Sequence, residues 1–146
     1  MLTGEFGKSL DEKGRLALPT RIRAEISGTT LVLTRGIERC LWLFEPDVWA
    51  EFSASILRAA SPLSSKARML QRRIVAPAQE IDIDKAGRIN IPQRMGDAVG
   101  LEKDCIVLGI QKYLEIWDAE EYQAYLESIE EDFKDATEEL GGLVSL

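Results

Sequence analysis

Two short segments of the chain, 73 positions apart, combine aspartate, glycine and arginine in the same order and spacing. An aspartate at the start of a turn accepts hydrogen bonds from nearby amides, and a glycine tolerates the positive φ of a bulged hairpin. An arginine after the turn projects a planar fork of N–H donors that suits guanine edges and phosphates. The pattern predicts paired hairpins directed at an anionic partner. The six motif residues are Asp11, Gly14 and Arg15, and Asp84, Gly87 and Arg88.

The similarity continues beyond the motifs. Residues 11–21 and 84–94 share five identities in eleven positions, including Pro19 with Pro92. Alternating apolar residues after each turn predict a half-buried strand, and each proline predicts the start of a short helix. Two copies are too few for a solenoid, so we expect one pseudo-two-fold domain with a shared core. The predicted elements of the two copies are strands at 5–10, 16–18, 80–83 and 89–91, and helices at 20–26 and 93–99.

The remaining segments follow the same order in both copies. Further strands are predicted at 31–34, 41–44, 105–110 and 113–117, with 31–33 aligned to 106–108. A helix opens at Pro46, and Asp118 with Glu121 predicts a capping box for another. The predicted apolar stripe of this later helix comprises Tyr122, Tyr125, Leu126, Ile129 and Phe133.

The fold class that these patterns favour is α+β and rich in β-strand, with amphipathic helices flanking the two units. The segments are a first unit with its helix at 5–60, a linker and short basic helix at 61–76, a second unit with its helix at 77–133, and an acidic, frayed end at 134–146.

Composition limits the possible functions. With 45% hydrophobic residues the chain can form a core, and no apolar stretch approaches the ~20 residues of a membrane span, so a cytoplasmic location is expected. Cys40 and Cys105, without any histidine, cannot supply a metal cage, and we interpret both as buried thiols. No cofactor, small-molecule substrate or catalysis is expected, because the chain has no phosphate loop or activated nucleophile.

Charge is distributed unevenly along the chain. The formal net charge of −7 divides into +3 for residues 1–100 and −10 for residues 101–146. A basic face is therefore compatible with an acidic protein, and the acidic end should point away from DNA or compete with it. The candidate DNA-binding residues are Lys13, Arg15, Arg21, Arg23, Lys85, Arg88 and Arg94.

The two copies differ in their basic residues. Ala86 replaces Lys13, and Gly96 replaces Arg23, so we expect the first hairpin to contribute more to binding. A competing interpretation remains open for both motif arginines, in which each only pairs with the aspartate of its own motif and braces the turn.

The doubled Asp-x-x-Gly-Arg motif is one of four features in which the chain resembles the MraZ family of AbrB-like (SpoVT-AbrB) regulators. The other features are the runs Leu31-Val-Leu-Thr-Arg-Gly36, Cys40-Leu-Trp-Leu-Phe44 and Leu114-Glu-Ile-Trp117, and the resemblance covers about residues 1–130. The resemblance implies a swapped-hairpin β-barrel and a ring-shaped homo-oligomer. It also implies a nucleoid-associated repressor that binds double-stranded DNA at promoter repeats of the cell-division and cell-wall gene cluster, its own promoter included. AbrB-like barrels also occur in antitoxins, so a protein-binding module is the alternative.

Overall fold

The computed structural model describes residues 1–59 and 61–144. The strands are β1 (Leu2–Ser9), β2 (Arg15–Ala17), β3 (Thr30–Arg35), β4 (Leu41–Phe44), β5 (Gln79–Asp82), β6 (Arg88–Asn90), β7 (Asp104–Gln111) and β8 (Leu114–Asp118). The helices are α1 (Thr20–Glu25), α2 (Pro46–Ala59), α3 (Ser65–Leu70), which continues into a π-helical turn (Gln71–Val75), α4 (Gln93–Ala98), α5 (Ala119–Ser128) and α6 (Glu130–Leu140).

The strands form a six-stranded sheet in the order β1-β7-β8-β4-β3-β5 and a separate two-stranded ladder of β2 with β6. Every strand pair is antiparallel. The first strand of each copy pairs with the third strand of the other copy, β1 with β7 and β5 with β3. The predicted α+β class is confirmed, and neither copy completes its sheet alone.

Strand register reveals the internal symmetry. Trp42 pairs with Glu115 at the centre of the sheet, and Leu16 pairs with Ile89 at the centre of the ladder. Both pairs join residues 73 positions apart, which is the offset of the sequence repeat. A pseudo-two-fold axis therefore passes through both pairs.

The strands do not close into a barrel. The sheet ends at β1 and β5, and within residues 1–59 and 61–144 the β-pairing between these ends and the ladder is limited to the isolated bridges Leu10–Leu16 and Ile83–Ile89. Each chain segment enters its Asp-x-x-Gly turn directly after the bridge, so no longer run of pairing can form there.

One detail of the predicted repeat alignment is also wrong. Leu31 pairs with Ile81, and the equivalent partner of Lys8 on β7 is Cys105. The counterpart of residues 31–33 is therefore 105–107 rather than 106–108. A one-residue slip would turn the apolar set of β7 away from the core.

The main hydrophobic core lies between the sheet and the ladder. Leu16 and Ile89 project from the ladder with no exposed surface, and Leu33, Leu41 and Ile116 meet them from the sheet. Burying one such side chain contributes about 1.5–3 kcal/mol. This core fixes which face of the ladder points outward.

A second, aromatic core covers the other face of the sheet. Trp42, Phe44 and Trp117 pack there beneath α2, α5 and the π-helical turn. The buried Glu115 carboxylate accepts hydrogen bonds from the indole Nε1 of Trp42 at 3.0 Å and of Trp117 at 3.1 Å. Thr34 Oγ1 donates to the carbonyl of Ile74 and ties the π-helical turn to β3.

The C-terminal helices depart from the prediction of one apolar stripe. Asp118 caps α5 by accepting from the Glu121 amide at 3.2 Å, but α5 ends at Ser128 and the chain bends at Ile129. Phe133 therefore lies on a separate helix and is exposed. Residue 60, the last of the predicted first unit, and residues 145–146 of the predicted frayed end lie outside the described residues. No helix in the described ranges is long and apolar enough to cross a membrane.

Candidate nucleic-acid interface

The first hairpin turn is organised around one carboxylate. Asp11 Oδ1 accepts from the backbone amides of Lys13 at 2.9 Å and Arg15 at 2.8 Å, while Oδ2 accepts from Arg15 Nε at 2.8 Å. Gly14 adopts φ +78°, a conformation that favours glycine, and lets the turn close. The side chain of Arg15 is thereby held at the end of the turn.

The second turn repeats this geometry. Asp84 accepts from the amides of Ala86 and Arg88 and from Arg88 Nε, each at 2.9 Å, and Gly87 has φ +79°. Both arginines thus pair with their own aspartate, as the bracing interpretation expects. The pairing engages Nε, and among the described residues neither Nη1 nor Nη2 of either arginine donates a hydrogen bond.

The electrostatics of the turns follow from these bonds. The backbone N–H of Arg15, followed by its guanidinium, holds the pKa of Asp11 below its ordinary value. The Arg88 amide and guanidinium lower the pKa of Asp84 in the same way. Both carboxylates are therefore ionised near neutral pH, and each offsets part of the positive charge beside it.

The ladder brings the two arginines onto one face. Arg15 lies opposite Asn90, and Arg88 lies opposite Ala17, one position to either side of the buried Leu16–Ile89 pair. Because alternate strand residues point to opposite faces, these four residues share the outward face. The arginine side chains are 31% and 35% exposed. Their Cα atoms are diagonal neighbours, a relation that typically separates them by about 7–8 Å.

The carbonyl of each turn glycine accepts a hydrogen bond from the other copy. The Gly87 carbonyl accepts from the Leu18 amide at 2.9 Å, and the Gly14 carbonyl accepts from the Ile91 amide at 2.8 Å. Each turn therefore lies beside the end of the strand that belongs to the other copy.

This crossing changes the expected grouping of basic residues. Arg23 and the second-turn residues Asp84 and Lys85 line a cleft of about 400 Å³, and Arg23 also donates to the Ile26 carbonyl at 3.2 Å. Arg23 thus accompanies the second turn, although sequence order assigned it to the first hairpin. Lys13 and Lys85 are exposed within their respective turns.

Arg21 and Arg94 occupy a different part of the molecule. Arg21 donates to Thr3 Oγ1 at 3.3 Å, at the beginning of β1 and away from the turn that follows its end. Arg94 lines a cleft with Pro77 and Gln79 at the beginning of β5. The described contacts bring neither residue to the outward face of the ladder.

Asn90 is a candidate that the motif did not reveal. It is exposed and lies directly opposite Arg15. Its amide offers both a donor and an acceptor, a combination that suits an adenine edge. The sequence signal was the polar position in the alternation Ile89-Asn90-Ile91, which gains meaning only once the strand partner is known.

The cysteines lie apart from this face. Both are free and buried, as predicted. Burial, with the nearby Glu115 and Glu38 carboxylates, raises the pKa of Cys40, and burial raises that of Cys105 to about 11. Among the described residues no group of three or more histidine, cysteine or acidic side chains is arranged to hold a metal ion.

Comparison with known proteins agrees with the internal repeat. A family described as "MraZ protein, putative antitoxin-like" matches residues 1–73 and again residues 74–143. The chain is 49% identical over 140 residues to a "Transcriptional regulator MraZ" of Treponema denticola, covering 96% of this chain and 97% of that protein. It is 48% identical over 141 residues to a protein of the same name from Treponema pallidum, covering 97% and 95%. These relatives are named as regulators and not as enzymes, in agreement with the non-enzymatic prediction. The chain belongs to the MraZ family.

Proposed function

We propose that this protein is a transcriptional regulator that binds double-stranded DNA in a sequence-specific manner through the outward face of the β2–β6 ladder. The observation that carries the proposal is the placement of Arg15 and Arg88 on one exposed face, diagonal to each other across the ladder. The name of the Treponema relatives supports regulation of transcription.

The geometry of the face suits the major groove. A two-stranded ribbon is narrow enough to enter that groove. A separation of about 7–8 Å between the arginine Cα atoms corresponds to roughly two base steps of 3.4 Å along a strand. The aspartates hold each guanidinium by Nε, which leaves the terminal nitrogens for guanine or phosphate and reduces the entropy lost on binding. Bracing and DNA contact are therefore compatible roles of the same side chain.

Charge near the face predicts weak binding by one protomer. The basic residues Lys13, Arg15, Lys85, Arg88 and Arg23 are partly offset by Asp11, Glu12 and Asp84. Few phosphate contacts give modest affinity that falls with salt. In a ring-shaped homo-oligomer, several protomers would engage successive promoter repeats, and the second contact would raise affinity by ~10²–10⁴. Occupation of a promoter by such a ring excludes polymerase, so we propose repression.

The exchange of β1 and β5 between the copies supports a swapped-hairpin arrangement of the AbrB-like kind. We assign the promoter of the cell-division and cell-wall gene cluster, including this protein's own gene, as the target, and the nucleoid within the cytoplasm as the location.

A titration of DNA from upstream of the gene tests the proposal. Fluorescence anisotropy compares the wild type with Arg15→Ala, Arg88→Ala and the matched exposed control Arg58→Ala. Loss of a bidentate arginine–guanine contact should weaken specific binding by about 1–3 kcal/mol, or roughly 5–150-fold. The control should bind as the wild type does. Unchanged binding by both ladder variants, with folding verified, would refute the proposal.

A protein-binding, antitoxin-like function is the second candidate. An extended tail that wraps a partner would favour it, but residues 130–140 form a helix. Capture of a partner by the C-terminal segment, together with unchanged DNA binding in the ladder variants, would favour this candidate.

A further inference from the structure

An apolar groove rimmed by positive charge lies on the helix between the two copies. Lys66, Met69, Leu70 and Arg73 recur at helical spacing along α3 and the π-helical turn, and Ile37 faces them from the β3–β4 connection. Ile37 is 67% exposed and Met69 is 64% exposed. Such large exposed apolar side chains grouped together mark an interaction surface.

The groove has an unusual excess of positive charge. Its lining includes the three basic residues Lys66, Arg72 and Arg73 and no acidic residue. This charge attracts an acidic partner to the groove.

Helix α6 carries the complementary features. Phe133, Ala136, Thr137 and Leu140 form one stripe, which continues to Val144, and no residue of α6 is buried. At 100° per residue, Glu130, Asp132 and Glu139 flank this stripe, whereas Glu131, Asp135 and Glu138 lie on the opposite side. An amphipathic helix of this kind normally covers its apolar stripe with a partner.

We infer that α6 of one chain docks into the basic groove of α3 and the π-helical turn of a second copy. Both surfaces expose apolar side chains and they are opposite in charge, so the contact is attractive between copies. It joins two different surfaces, and repetition of such a head-to-tail contact closes into a ring when the rotation permits. The inference identifies the interface of the proposed ring-shaped homo-oligomer, and it rests on that part of the proposed function.

A second copy fits the groove better than DNA does. Phosphate contacts require exposed cations, but they do not require the exposed Ile37, Met69 and Leu70 at the floor. The acidic α6 would in addition repel DNA and attract the groove.

Two variants that reverse the charge of one surface each test the interface on the whole chain. One variant carries Lys66→Glu with Arg73→Glu, and the other carries Asp132→Lys with Glu139→Lys. Matched controls carry Arg58→Glu with Arg68→Glu, and Glu131→Lys with Glu138→Lys, which change net charge equally away from the groove and stripe. Light scattering coupled to size-exclusion chromatography measures the mass of each protein and of their mixtures.

Each interface variant alone should fall to the mass of a single chain, while both controls keep the wild-type mass. Mixing the two interface variants should restore the oligomer, because the acidic groove of one accepts the basic helix of the other and the reverse contact is also complementary. If the oligomer returns only in a variant that carries all four substitutions in one chain, α6 docks on the groove of its own chain. That result would overturn the inference. Unaltered masses in both interface variants would also overturn it.

DNA titrations separate this inference from the proposed function. Interface variants should keep the affinity for a single short site and lose the ~10²–10⁴-fold preference for repeated sites. A groove variant that loses single-site binding while its oligomer stays intact would identify the groove as a DNA contact and refute docking there. Ladder variants report on DNA contact independently, because they leave the groove unchanged.

Discussion

The two hairpin turns share one scaffold and differ in what surrounds it. Their aspartate-to-arginine distances agree within 0.1 Å, at 2.8 Å and 2.9 Å from Oδ2 to Nε. The first turn has Lys13 and faces Asn90 across the ladder, whereas the second has Lys85 and the neighbouring Arg23, and faces Ala17. The two copies thus share the residues that shape the turn and differ in the basic and polar residues around it. We expect the two turns to recognise different halves of a DNA site.

The largest effect should come from the pair on the pseudo-two-fold axis. Leu16→Ala and Ile89→Ala should each lower the free energy of unfolding by about 2–5 kcal/mol, because both leave a cavity between ladder and sheet. Urea denaturation measures this loss, with the exposed Leu57→Ala as a control within about 0.5 kcal/mol of the wild type. A large loss from only one of the pair would show that the copies do not share the core equally.

Asn90 provides a test of divergent recognition. Asn90→Ala makes the face of the ladder more nearly symmetric, and it should reduce discrimination at one base position of the preferred site by about 1–3 kcal/mol. Competition titrations with single-base variants of the site measure the change. The stability of the protein should not change, since the side chain is exposed. A uniform loss across all sites would instead indicate a phosphate contact.

The turn glycines should respond unequally. Alanine at either position adopts a left-handed backbone that costs roughly 1–2 kcal/mol. A Cβ at Gly14 would in addition approach the Ile91 carbonyl oxygen to 3.1 Å, whereas a Cβ at Gly87 would have no atom within 4 Å from the part of the chain that the structure describes, its two chain neighbours aside. Denaturation should therefore rank Gly14→Ala as less stable than Gly87→Ala, and the reverse order would contradict the described packing.

Salt dependence should distinguish the basic residues by position. Arg23 lies beside the second turn, so Arg23→Ala should reduce the slope of log affinity against log salt by about 0.9 if it contacts one phosphate. Arg21→Ala is the matched control and should leave the slope unchanged, since Arg21 lies beside Thr3. Equal slopes in the two variants would show that Arg23 does not contact a phosphate.

The smallest difference between the turns should appear in their titration. The pKa of Asp11 and of Asp84 is lowered by the same kinds of hydrogen bond. Each should stabilise the fold above the ordinary aspartate pKa of about 3.9, and this contribution should disappear as pH falls through the lower folded value. The unfolding curves of Asp11→Asn and Asp84→Asn should therefore differ from that of the wild type above about pH 4 and converge on it only at more acidic pH, below the lowered pKa of each aspartate. Divergence at acidic pH would contradict this assignment.

Sequence reasoning succeeded where chemistry is local. The Asp-x-x-Gly-Arg spacing predicted both turns, the alternation at Leu16 and Ile89 predicted the ladder strands, and Asp118 predicted the cap of α5. It failed at the end of a helix and where segments distant in sequence meet. The bend at Ile129 separates Phe133 from the stripe of α5, and the crossing of the copies moves Arg23 to the second turn.

The sequence by itself determined the turns, because an aspartate, a glycine and an arginine within five positions satisfy one another without help from the rest of the chain. It also determined the pseudo-symmetry, because the repeat imposes the same local structure twice. Only the tertiary structure decided which side chains share a surface. Burial of Leu16 against Ile89 turns Arg15, Arg88 and Asn90 outward together, and strand register between segments 73 residues apart is set by the packing of the whole core.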